Sequence, residues 1–128
     1  MSKARLEHFN LTVLDPDATA ALLVQLFDWR IRWSGASIHD GYTVHVGDED
    51  SYIVLYSQPR ANAPGVPTYD RHLALNHLGV EVDDLDRAAE RVVEAGLETY
   101  HHQDYEPGRR FYFRTGDGLE IEVVSYGK

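Results

Sequence analysis

The feature that most constrains this chain is that it repeats itself. When LEHFNLTVLDPDATAA (6–21) is set over LNHLGVEVDDLDRAAE (75–90), Leu6, His8, Val13, Asp15, Asp17 and Ala20 meet Leu75, His77, Val82, Asp84, Asp86 and Ala89 without a gap. The far ends match as well: SYIVLYS (51–57) lies over LEIEVVS (119–125), and GYTVHV (41–46) lies over GRRFYF (108–113). A repeat on this scale means that one supersecondary unit occurs twice, so every motif has a mate at a known place. With 128 residues in all, the two copies together make one ordinary domain.

Each copy reads as a strand, a helix and two or three further strands. Residues 6–13 and 75–82 alternate, placing Phe9, Leu11 and Val13, then Leu78, Val80 and Val82, on one face. Asp15-Pro16 and Asp83-Asp84 end these strands, since aspartate caps a helix and proline fits its first turn. Helical spacing follows in Ala18, Ala21, Leu22 and Leu26, and in Leu85, Ala88, Ala89, Val92 and Val93, with Gly96 as the stop. Later strands are expected at 30–33, 42–46, 52–57, 98–101, 109–114 and 119–126, with hairpin turns at GDED (47–50) and TGDG (115–118). The fold class is therefore α+β: tandem βαβββ modules at 1–58 and 75–128 forming a cupped, mostly antiparallel sheet. The Pro- and Gly-rich stretch 59–74 joins them as a linker or lid.

Alternation also fixes what the other face of each strand presents. In the first module it carries His8, Asn10, Thr12, Thr43, His45, Tyr52, Val54 and Tyr56; in the second, His77, Gly79, Glu81, Arg110, Tyr112, Arg114, Glu120, Glu122 and Val124. Such a face holds chemistry. Two histidines and a carboxylate from different strands suit a divalent metal with open positions, and Fe²⁺, Mn²⁺, Zn²⁺, Ni²⁺ or Co²⁺ are all compatible with these ligands. A lone histidine is more often a surface or hydrogen-bonded residue, but His8 and His77 occupy the same repeat position. Glu122, set between Ile121 and Val123, is costly there unless something pairs with it.

Composition narrows the partners. The chain has no cysteine, which removes thiolate chemistry and cysteine-ligated metals. A net charge of −9 argues against nucleic acid and anionic membranes, which need clustered Lys and Arg. The longest apolar stretch, AALLVQLF, is too short to cross a bilayer, and the start of the chain lacks the apolar run of a signal peptide, so a cytoplasmic location is expected.

The stretches HFNLTVLDPDATA and LFDW, NHLGVEVDDLDRA, and GDGLEIEVVSY resemble the vicinal oxygen chelate superfamily of glyoxalases, bleomycin-resistance proteins and extradiol dioxygenases. The resemblance covers nearly the whole chain. It implies a metal held by His8, His77 and Glu122, a small substrate chelated through two adjacent oxygens, and a homodimer. Where glyoxalase I carries a fourth ligand this chain has Val54, so the resemblance leans toward the three-ligand ring-cleaving dioxygenases. Tyr112 then matches the tyrosine ten residues before the glutamate of their signature, Gly116 replaces its proline, and His102 lies slightly too far back for its acid–base histidine. Fosfomycin-type transferases share only the three ligands. Tyr112 and Arg110 are expected to stabilise negative charge, and His45, the repeat mate of Tyr112, to act as acid or base. The competing expectation, from the bleomycin-resistance side, is metal-free sequestration of a flat or cationic molecule. Its stacking groups would be drawn from Trp29, Trp33, Tyr52, Tyr56, Tyr69, Tyr105, Tyr112 and Tyr126.

Overall fold

Two aspartates start the two helices, and the whole arrangement can be built outward from them. In the computed structural model, which describes residues 4–62, 68–105 and 108–126, Asp15 accepts the Ala18 N–H at 3.1 Å and Asp84 accepts the Arg87 N–H at 3.0 Å. Helix α1 (Pro16–Phe27) follows the first, with Pro16 in its first turn, and α2 (Leu85–Glu94) follows the second. Their ends differ. Asp28 closes α1 in a left-handed conformation with its N–H on the Val24 carbonyl, whereas α2 runs out through Ala95 into Gly96 at φ 87°.

The chain divides into two compact units, Met1–Asn62 and Ala63–Lys128. In the first, β1 (His8–Thr12), β2 (Arg30–Ser37), β3 (Gly41–Gly47) and β4 (Tyr52–Ser57) form a sheet in the order β1-β4-β3-β2. β1 runs parallel to β4, and the other pairings are antiparallel. The β2–β3 turn puts His39 and Asp40 both at positive φ, which matches the right-handed twist of a hairpin. The β3–β4 turn is held by the Asp48 carboxylate, which accepts the N–H groups of Asp50 and Ser51. Gly47 is required there because a Cβ would collide with the Ser51 carbonyl and the Tyr52 backbone. Ala20, Leu23 and Leu26 of α1 are buried, as are Val44, Val46, Ile53 and Leu55 of the sheet.

The second unit repeats this plan. Its strands β5 (Leu78–Glu81), β6 (Thr99–Tyr105), β7 (Gly108–Arg114) and β8 (Glu120–Ser125) pair in the order β5-β8-β7-β6, again with one parallel pair, β5 with β8. Phe111, Phe113, Ile121 and Val123 are wholly buried alongside Leu85, Ala88 and Val92 of α2. The sequence repeat is visible in the register itself: Val54 lies opposite Asn10 and His45, and its mate Glu122 lies opposite Gly79 and Tyr112.

The α+β reading with two βαβββ copies holds, each with its own mixed four-stranded sheet. The strands at 30–33 and 98–101 are longer than the alternation predicts, because ladder bonds to β3 and β7 carry β2 to Ser37 and β6 to Tyr105. Conversely, the first strand of each copy starts later, at His8 and Leu78, which leaves His77 in the segment just before β5. Residues 63–67 of the connecting stretch, and the side chain of Tyr105, lie outside the described residues. No helix among the described residues is long and apolar enough to cross a membrane.

Candidate functional site

In the second unit the open sheet face presents a cross-strand row of Gly79, Glu122, Tyr112 and Tyr100, one residue from each strand. A second row places Glu120 opposite Arg114. His77, entering β5, comes down between these rows. Its Nε2 lies 3.0 Å from Glu122 Oε1, and its Nδ1 lies 3.0 Å from the Tyr69 hydroxyl. The ring of Tyr112 meets the His77 ring edge-on, with centroids 5.5 Å apart, and stacks on Tyr100. Beside Glu122, Gly79 leaves space: a Cβ there would have nothing within 4 Å.

Two carboxylates on a half-apolar strand need partners, and each has them. Glu122 receives Arg110 Nη1 on its second oxygen at 2.8 Å, with side-chain exposures of only 13% and 11%. Glu120 is more deeply set and accepts from Tyr69 at 3.0 Å, from Tyr100 at 2.6 Å and from Arg114 at 3.4 Å. Burial pushes the Glu120 carboxyl up, but the hydrogen bonds from Tyr100 and Tyr69 and the charges of Arg114 and His77 outweigh it and hold the group below its ordinary value. The phenols move the other way: burial and the Glu120 carboxylate push Tyr100 up to about 12, and raise Tyr69 as well.

A cavity of about 420 Å³ opens at this cluster, lined by Tyr69, His101, Gln103, Tyr112, Arg114 and Glu120. A β-bulge between Tyr100 and Gln103 puts His101 there, at φ 51°, with its ring against Tyr100 and Tyr112. The neighbouring His102 instead stacks on Phe111 and contacts Thr99 at 2.8 Å. A second, smaller cavity of about 250 Å³ is lined by Leu85, His102, Gln103, Asp104, Arg109 and Arg110; His77 and Glu122 are in the lining of neither cavity, and Tyr69, Tyr112 and Glu120 tie the larger one to them.

In the first unit the matching face carries rings instead of carboxylates. His8 and His45 each stack on Tyr52 with centroids 4.9 Å apart, Trp33 tilts against His45, and the Arg32 guanidinium lies 4.4 Å from the Tyr52 centroid. His8 Nδ1 contacts Glu7 at 2.8 Å, and this bond holds the Glu7 carboxyl below its usual value. Burial pushes His45 down, assisted by the neighbouring charges of His8 and Arg32.

This architecture has known counterparts. The family model of the Glyoxalase/Bleomycin resistance protein/Dioxygenase superfamily matches residues 5–123. The chain belongs to that superfamily. No curated protein matches it. Among solved structures, a glyoxylase/bleomycin resistance protein/dioxygenase domain from Frankia sp. EAN1pec superposes with a TM-score of 0.81 at 23% identity, over 97% of this chain and 93% of the other. TnmS3, an antibiotic binding protein from Streptomyces sp. CB03234, gives 0.75 at 19% identity over 98% of each chain. The fosfomycin resistance protein FosX from Listeria monocytogenes, complexed with Mn(II) and sulfate ion, gives 0.74 at 20% identity over 97% and 93%. At these identities the likeness is one of fold.

Superfamily membership sets the frame for the residues singled out from sequence. His77, Glu122, Tyr112 and Arg110 come together in the second unit. His8 and His45 flank Tyr52 in the first. Among the described residues no three His, Asp or Glu side chains of the chain gather closely enough to hold a metal by themselves. The His77–Glu122 pair sets a ring nitrogen and a carboxylate oxygen 3.0 Å apart, a spacing that a direct N–H···O contact has and that two adjacent ligands of an octahedral divalent ion would also have. Sequence reasoning placed Glu120 on this face without giving it a part, and put Tyr69 in the linker as a stacking ring. The alternation of Glu120 and Glu122 along one strand was the available signal; for His101 there was none, because a bulge does not show in the pattern.

Proposed function

We propose that this superfamily member is a divalent-metal enzyme that takes a small substrate through two adjacent oxygens, with His77, Glu122 and His8 as the metal ligands. Its chemistry is that of a ring-cleaving dioxygenase or a lyase, and it works as a homodimer. The observation that carries the reading is the 3.0 Å approach of His77 Nε2 to Glu122 Oε1, made while the other imidazole nitrogen is engaged by Tyr69. His8 enters as the repeat mate of His77. When bound, the cation supplies Lewis acidity and a template for the chelated oxygens.

The chain's own groups have defined tasks in this reading. Arg110 occupies one oxygen of Glu122 and leaves the other for the ligand position. Arg114 and His101 line the cavity beside the pair and offer donors to an anionic oxygen, while Tyr112 supplies a wall and a hydroxyl near the developing charge. His45, which burial holds below the ordinary imidazole value and so biases toward the neutral form, is the proton acceptor in this reading.

Elemental analysis of untagged, chelator-free protein tests this directly, with Mn²⁺ added first because FosX was solved with Mn(II). One equivalent of metal in the wild type that is lost in His77→Ala supports the enzyme. Protein that takes up no metal overturns it, and the second reading then stands: a metal-free pocket that sequesters an aromatic molecule. What favours that alternative is the row His8, Tyr52, His45 and Trp33, whose indole remains half exposed. Quenching of tryptophan fluorescence by an aromatic cation in the metal-free protein is its signature.

A further inference from the structure

Four side chains of the second unit form a line of short contacts: Glu122 Oε1 to His77 Nε2, His77 Nδ1 to the Tyr69 hydroxyl, and that hydroxyl to Glu120 Oε1, each at 3.0 Å. Three contacts between electronegative atoms need a positive particle in every gap. A neutral imidazole brings one N–H and a phenol one O–H. With both carboxylates ionised and the imidazole neutral, the line is short by one; a second ring proton would complete it.

The position of that shortfall follows from the surroundings of Glu120. Its second oxygen takes donors from Tyr100 at 2.6 Å and Arg114 at 3.4 Å, and a guanidinium can only donate, so the ionised carboxylate satisfies every neighbour. At 7% exposure Glu120 is also the drier of the two carboxylates, with Glu122 at 13%. It therefore has the stronger claim on the single Tyr69 hydrogen. The Tyr69 oxygen then offers a lone pair to His77, and Nδ1–H donates to it. The Nε2 lone pair of the neutral ring is left facing an anionic oxygen across the remaining gap, which takes one further positive charge: a second ring proton, or a cation in its place.

We propose that Tyr69 and Glu120 are positioning residues: together they hold the His77 hydrogen on Nδ1 and commit Nε2 to act as a donor toward a cation shared with Glu122. This gives a role to Glu120 and draws a residue of the connecting stretch into the site. The tautomer part stands on the contacts alone, and the cation part rests on the metal reading.

The test compares the full-length wild type with Glu120→Gln, Tyr69→Phe and Tyr100→Phe. In Glu120→Gln the amide oxygen must take the side where Arg114 donates, so the NH₂ faces Tyr69. The Gln N–H then donates to Tyr69, Tyr69 to Nδ1, and Nε2–H to Glu122, and the shortfall is filled without a cation. Nitrogen-15 NMR of the metal-free proteins, at a pH where the ring is neutral, is expected to show His77 protonated on Nδ1 in the wild type and Tyr100→Phe, and on Nε2 in Glu120→Gln and Tyr69→Phe. Titration calorimetry with Mn²⁺ is expected to show 10- to 100-fold weaker binding in the latter two, the range for loss of groups that orient a metal ligand. The same tautomer in wild type and Glu120→Gln overturns the proposal, and a switched tautomer with unchanged Mn²⁺ affinity overturns its link to the cation. Should the wild type bind no Mn²⁺, the metal reading fails, while the tautomers still decide for or against the roles of Tyr69 and Glu120. Circular dichroism and melting curves establish that each variant is folded.

Discussion

Arg110 Nη1 lies 2.8 Å from Glu122 Oε2, and both side chains are nearly dry. A pair of this kind is expensive to break from one side, because the partner left behind stays buried and loses the charge it was set against. Glu122→Ala is therefore expected to cost about 3 kcal/mol of stability, measured by urea denaturation. Replacing Arg110 by Met in the same protein is expected to return part of that loss. Equal and additive costs for the two changes would show that the pair is not coupled.

Tyr100 provides a second test, at alkaline pH. Its phenol is pushed up to about 12 by burial and by its hydrogen bond to Glu120. The folded value lies above the unfolded one of about 10, so the group contributes stability below pH 10 that is lost as the pH rises toward 12. Absorbance titration at 295 nm should show a tyrosine ionising late in the wild type and missing in Tyr100→Phe. Denaturation across that window should be less pH-dependent in the variant.

How much of this was legible beforehand depended on the kind of signal. The repeat of His8 and His77, the caps at Asp15 and Asp84 and the alternation in FYF and EIEV are local patterns. They place both helices, the buried Phe111 and Phe113, and Glu122 beside Tyr112. The reach of β2 and β6 was not local. It is set by ladder bonds to strands elsewhere in sequence, and RIRWSGAS is largely exposed, so alternation says little about where it ends. The roles of Glu120 and Tyr69 were hidden for a related reason. They arise from hydrogen bonds across 51 residues, and Tyr69 sits in a stretch whose composition says only that it connects.

His45 carries a prediction with the opposite sign to that of Tyr100. Burial, then the charges of His8 and Arg32, hold it below the ordinary imidazole value of about 6.5. A group whose folded value is depressed contributes stability above its unfolded value and loses it as the pH falls toward the folded one. The protein should therefore lose stability on acidification below about pH 6.5, and His45→Phe, which keeps the stack on Tyr52, should lose less. Parallel urea curves at pH 7.5 and 5.5 for the two proteins provide the measurement.

The last prediction separates the site from the scaffold. Gly79 lies opposite Glu122 in a parallel pair, its position is exposed, and a Cβ there meets nothing within 4 Å. As a strand residue glycine is a poor choice, since it costs entropy and adds no packing. Valine is among the best, so Gly79→Val should leave the melting temperature unchanged or raise it, with a gain of up to about 1 kcal/mol. Yet directly opposite side chains on one sheet face are only about 5 Å apart, so the new isopropyl group occupies the space next to the Glu122 carboxylate. Mn²⁺ binding is expected to fall at least tenfold in a protein that is as stable as before or more so. Unchanged Mn²⁺ affinity in that variant would mean that the space beside Glu122 is not where the ion and its substrate sit.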